Sequence, residues 1–122
     1  MNAYFGGTLI QDIPGQLGGD HSKGVNHEIE IKKDSILGQL FGESMLINSY
    51  HHQGLENIAD GFIATAWADA GGNKLVEAIE HESLPYWSVQ WHPERMSGPV
   101  TNPVDCKDSF PIFEYFVNQC KK

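Results

Sequence analysis

Residues 62–81 read FIATAWADAGGNKLVEAIEH, two apolar-rich segments joined by a glycine pair. Phe62, Ala64 and Ala66 alternate with Ile63, Thr65 and Trp67, the period of two that a strand with distinct faces imposes. Asp69 to Asn73, DAGGN, is turn chemistry, because paired glycines accept the positive φ values of a tight hairpin connection. Leu75 to His81 then reads as the partner strand. The organising unit is therefore an antiparallel hairpin, and the rest of the chain must build a sheet around it.

Outward from the hairpin, Val25 to Lys33 places Val25, His27, Ile29 and Ile31 on one side and Asn26, Glu28 and Glu30 on the other, a half-exposed strand. Asp12 to Gly24, rich in glycine and holding Pro14, reads as a loop. Ser35 to Phe41 reads as a short helical turn capped by Asp34 or Ser35 and ended by Gly42. Met45 to Ser49 is a buried strand leading into SYHHQG, and Tyr86 to Trp91 is another. Ser109 to Lys122 is the helix, with Ile112, Phe113, Phe116, Val117 and Cys120 on one face and Asp108 or Ser109 as its cap. The expected architecture is α/β: five strands, mostly antiparallel, and one C-terminal amphipathic helix. One helix covers one face of such a sheet, so the other is solvated or covered from outside the chain.

At 122 residues this is at most one domain, and 40% hydrophobic with 20% charged residues is the balance of a globular protein. Eight basic against sixteen acidic residues leave a net charge of −8, a field that repels phosphate backbones and anionic membranes, so neither nucleic acid nor a membrane is an expected partner. No run approaches the roughly 20 apolar residues of a membrane span. Met1 to Gln11 lacks a secretion signal, and Cys106 and Cys120 lack metal or redox spacing, so a cytoplasmic protein with reduced thiols is expected. No cofactor motif is present: the Gly6-Gly7 pair fits neither GxGxxG nor GxxxxGK[ST].

His92 and Glu94 flank Pro93 at the end of the Tyr86–Trp91 run. On extended backbone, residues two apart share a side, and a carboxylate beside an imidazole fixes its tautomer as a general base requires. Spacing alone leaves open a surface ion pair. Tyr50, His51 and Gln53 in SYHHQG suit a polar, substrate-facing loop. A metal site built on His51, His52 and His92 is the weaker alternative, since adjacent strand residues point opposite ways and HExxH is absent. None of the candidate nucleophiles sits on a small-residue elbow: Cys106 has bulky or charged neighbours, Cys120 lies on the terminal helix, and Ser49 lacks flanking glycines.

GGTLIQDI (residues 6–13), NSYHHQGL (48–55), LVEAIEH (75–81) and VQWHPE (89–94) occur in this order and spacing in one family. The chain resembles the class I glutamine amidotransferase-like γ-glutamyl hydrolases, peptidase family C26, and within them the γ-glutamyl-γ-aminobutyrate hydrolases. That resemblance covers the C-terminal half of a flavodoxin-like domain. It implies that Met1 to Phe5 ends the helix after a G-x-C-x-G elbow, so residues 1–122 form a partial domain without the nucleophile half. It implies His92 as the base that activates the cysteine, Glu94 as its orienter, and Tyr50, His51 and Gln53 as the lining of a γ-glutamyl pocket. The implied partners are a γ-glutamyl small molecule and a complementing N-terminal half. The competing expectation is a stand-alone module that covers its exposed face by forming a homodimer.

Overall fold

The computed structural model describes residues 1–18, 25–97 and 108–121. In chain order the elements are β1 (Leu9–Ile10), α1 (Ile13–Gln16), β2 (Val25–Ile31), α2 (Ile36–Phe41), β3 (Ser44–Ser49), β4 (Gly54–Leu55), β5 (Phe62–Ala70), β6 (Asn73–His81), β7 (Trp87–Val89), a 3-10 turn (Pro93–Met96) and α3 (Phe110–Cys120). They form an α/β fold around an open seven-stranded sheet of order β1-β4-β6-β5-β2-β3, with β7 also on β6. Every pairing among the described residues is antiparallel.

The hairpin forms where the sequence puts it. Ala70 pairs with Asn73, leaving Gly71 and Gly72 as a two-residue connection with φ of +59° and +85°. Two positive φ values in succession give the type I′ turn, whose twist matches that of the strands it joins. The register slips between Ala64 and Trp67, where Ala66 faces Ala78 but Trp67 faces Val76. Thr65 and Glu77 are stepped over in that register, and both are buried. The Thr65 carbonyl accepts from the Lys32 N–H, turning the chain at the end of β2.

Ser35 caps α2, its hydroxyl accepting from the Gly38 N–H at 2.9 Å, and Gly42 closes the helix as expected. α2, the 3-10 turn and α3 supply Leu37, Phe41, Met96 and Ile112 to a core that includes Ile29, Ile47, Ala66, Ala78 and Trp91. Ala78 and Ile79 are neighbours on β6, so they face opposite sides, and Ile79 packs separately with Ala59 and Phe62. The outward residues of β2, Asn26, Glu28 and Glu30, are exposed, so that part of the sheet is solvated.

Four expectations need correction. The sheet has seven strands among the described residues rather than five, because β1 and β4 are two-residue strands too short to show a period. Ile13–Gln16 is a helical turn inside the expected loop, started by Pro14. The Tyr86–Trp91 run is a strand only over Trp87–Val89, and Trp91 then dives into the core. The fourth concerns α3, which buries Ile112 and half-buries Tyr115 and Gln119, whereas Phe113, Phe116 and Val117 are 36%, 58% and 49% exposed. The helix carries two apolar stripes, and Tyr115, edge-on to Trp87 at 5.7 Å, chooses the one that docks. Met1–Phe5 forms one hydrogen-bonded turn.

A Cβ on Gly71 would lie 2.2 Å from the Leu17 carbonyl oxygen, whereas one on Gly72 meets nothing within 4 Å. Gly71→Ala should therefore lower stability by about 2 kcal/mol or more, and Gly72→Ala by about 1 kcal/mol, from the left-handed backbone alone. Urea unfolding of the two variants checks the order.

Candidate functional site

The site is assembled where β3 ends and where β7 gives way to the 3-10 turn. Asn48, the penultimate residue of β3, is 2% exposed, a polar side chain inside an otherwise apolar run. Its Oδ1 accepts from the His92 N–H at 2.9 Å, and its Nδ2 donates to the His92 carbonyl at 2.9 Å. The Asn48 N–H in turn donates to Met96 Sδ at 3.4 Å. One buried amide thus grips both backbone polar groups of the histidine. The His92 carbonyl also accepts from the Arg95 N–H, and Pro93 sets the first φ of the turn.

Held this way, His92 keeps 40% of its side chain exposed, with Nδ1 2.8 Å from Glu94 Oε1. A carboxylate only accepts, so Nδ1 carries the hydrogen and Nε2 keeps its lone pair. Burial, the largest single influence, would by itself raise the Glu94 pKa. Its own backbone N–H, the His92 ring and the Arg95 charge outweigh that and hold it below the ordinary 4.5. Tyr50 meets the His92 ring edge-on with centroids 5.6 Å apart, and the Arg95 guanidinium lies 4.4 Å from the centre of the Tyr50 ring. His92, Glu94, Tyr50 and Arg95 therefore make one exposed cluster.

His51 and Gln53 leave that cluster. The His51 ring turns inward, with Nε2 3.4 Å from Glu77 Oε1. Gln53 donates through Nε2 to Gln11 Oε1 at 2.9 Å. His52 is exposed, and its carbonyl accepts from the Ile13 N–H. Among the described residues no group of three His, Cys, Asp or Glu side chains is placed to hold a metal ion. Of the candidate nucleophiles, Ser49 is fully buried, Cys120 is exposed on α3, and Cys106 lies outside the described residues.

Asn48, Arg95 and Glu77 were missed by sequence reasoning. An asparagine or glutamate at a core-facing strand position was the available signal for two of them, since a buried polar group must find a partner. Arg95 gave none, because its role arises from packing on Tyr50 across the fold.

A family model described as Peptidase C26 matches residues 1–94. Protein NtpR of Enterococcus hirae is 34% identical over 98% of this chain and 50% of its own length. The glutamine amidotransferase-like protein YvdE of Lactococcus lactis is 38% identical over 97% of this chain and 49% of its own. The chain thus spans about half the length of these curated relatives. A solved structure of a GMP synthase-like protein from Thermoplasma acidophilum superposes with a TM-score of 0.72 at 15% identity, covering 98% of this chain and 51% of that one, a likeness of fold.

Two outcomes follow from the clamp and the pair. Asn48→Ala strands the His92 backbone groups and should lower stability by about 1–3 kcal/mol in urea unfolding. A carboxylate with a depressed pKa stabilises the fold above its ordinary value, and the contribution disappears as pH falls through its folded value. Glu94 is mostly exposed, so that contribution is small. His92→Gln should move the Glu94 titration part-way back toward 4.5, read by carboxyl carbon NMR.

Proposed function

The chain belongs to the peptidase C26 family, and from that premise we propose that it carries the acid–base half of a cysteine-dependent γ-glutamyl amide hydrolase. His92 is the base, Glu94 fixes its tautomer, and Tyr50, His51 and Gln53 belong to the segment that faces the γ-glutamyl group. The substrate class is a γ-glutamyl amide of a small amine, the γ-glutamyl-γ-aminobutyrate type.

The observation that carries this reading is the 2.8 Å contact from His92 Nδ1 to Glu94 Oε1. It leaves Nε2 as a proton acceptor on a ring open to an incoming thiol. In such a reaction Nε2 takes the thiol proton as sulfur attacks the amide carbon. It then returns that proton to the departing amine, and water releases the acyl group by the same route. Glu94 stays ionised and stabilises the imidazolium formed in each half-reaction. In this reading the nucleophile and its oxyanion donors are supplied by an N-terminal half, which is the proposed partner. The exposed Phe110, Phe113, Phe116 and Val117 face of α3 supports an incomplete domain. A free thiol on Cys120 fits a cytoplasmic setting, and no helix among the described residues is long and apolar enough to cross a membrane.

The same α3 face supports a second reading, a binding module that covers its apolar stripe by dimerising. Sedimentation separates the two. A chain that stays monomeric at every concentration counts against the dimer.

For the hydrolase, the chain is mixed with a separately produced N-terminal half of a family member and assayed for release of amine from a γ-glutamyl amide. Activity is expected only in the mixture, and His92→Ala should lower it by about 10²–10⁴-fold. Restored activity that survives His92→Ala would remove His92 from the role of base.

A further inference from the structure

A second histidine–carboxylate pair lies beneath the site, and the proposed reaction does not use it. Glu77 sits at the slip in the β5–β6 register, and its side chain is fully buried. It also marks the place where β6 changes partner on its other edge: Val76 pairs with Leu55 of β4, and Ala78 pairs with Val89 of β7. The Glu77 carbonyl accepts from the Gln90 N–H at 2.8 Å, and its carboxylate meets His51 Nε2 at 3.4 Å. On the far side of the ring, His51 Nδ1 lies 2.8 Å from the Gln53 carbonyl.

Proton arithmetic constrains this arrangement. The Gln53 carbonyl only accepts, so Nδ1 must carry a hydrogen. A neutral ring would then point the Nε2 lone pair at a carboxylate oxygen, a repulsion that a proton between them removes. Burial disfavours the charged ring, yet the Glu77 hydrogen bond, the Glu77 charge and the Gln53 carbonyl together outweigh it, raising the His51 pKa above the ordinary 6.5. The groups acting on that charge are Glu77 from β6 and Gln53 from the ring's own turn.

We propose that Glu77 is a positioning residue for the substrate-facing segment: it holds His51 as an imidazolium whose Nδ1–H closes the Tyr50–Gln53 turn on the Gln53 carbonyl and whose Nε2–H ties that turn to β6. The functional part of this inference rests on reading that segment as the γ-glutamyl pocket. A buried ion pair is a poor source of net stability and is better suited to fixing one arrangement among several. The place it fixes is the point where β4 and β7 diverge. Tyr50, the first residue of the turn, packs against His92, so closing the turn also sets one wall beside the base.

The test is made on the full chain, labelled with ¹⁵N. Wild-type His51 should show both ring nitrogens protonated at neutral pH and a titration above 6.5. Glu77→Gln should bring that titration to or below the ordinary value. It should also speed exchange of the Ile13 amide, which donates to the His52 carbonyl at 2.8 Å, by at least about tenfold. The His92 amide, held by Asn48, should keep its rate. A merely structural glutamate would leave the ring titration unchanged, and that result overturns the proposal. If Glu77→Gln does not fold, the wild-type ring decides alone, and an unprotonated ring nitrogen at neutral pH is fatal. Failure of the half-domain mixture with a doubly protonated His51 discards the hydrolase reading and leaves the turn-closing role standing.

Because the folded pKa of His51 is raised, its contribution to stability is full below 6.5 and fades as pH rises through the folded value. The stability difference between wild type and His51→Gln should therefore shrink from mildly acidic to alkaline pH.

Discussion

A β-strand has two edges, and β6 must serve three neighbours with them. β5 takes one edge along nearly its whole length, while β4 and β7 divide the other. The division falls at Glu77. The segment entering β4 is the SYHHQ turn, and the segment leaving β7 leads to His92, so the geometry of one strand makes the two segments part from the same point on β6. Without the hairpin that aligns β6 there is no fork, and without the fork the two segments have no common address.

How much of this was legible in the sequence follows from the range of each interaction. The hairpin, the cap of α2 and the His92–Glu94 pair are settled within a few residues, and the sequence announces the hairpin, narrows the cap to Asp34 or Ser35 and offers the pair. β1 and β4 exist only because partners far along the chain reach them, and two residues carry no periodicity. The helix pattern showed that α3 is amphipathic, and the sheet decided which stripe docks. The clearest missed signals were Asn48 and Glu77, polar residues in strands that otherwise read as core. Each marks a place where the fold supplies a partner from another element.

The two histidine–carboxylate pairs are set for opposite tasks by their surroundings. His92 and Glu94 are close in sequence and open to solvent, and the carboxylate orients a ring whose second nitrogen stays free. His51 and Glu77 come from different elements and are buried, and both nitrogens of the ring are engaged. The first arrangement keeps a proton acceptor available. The second removes one, giving a brace whose charged form the neighbouring carboxylate favours. Similar residues thus leave a ring nitrogen open in one place and engage both ring nitrogens in the other.

The grip of Asn48 on His92 spans 44 residues. Closing a free loop of that length costs about 3 kcal/mol in chain entropy, more than two ordinary hydrogen bonds return at about 1 kcal/mol each. The contact is affordable only after β2, β5 and β6 have folded the intervening chain into a short span. His92 is therefore seated by strands that are already paired, and its backbone contacts depend on them. Integrity of the scaffold is read out directly in the placement of a single imidazole.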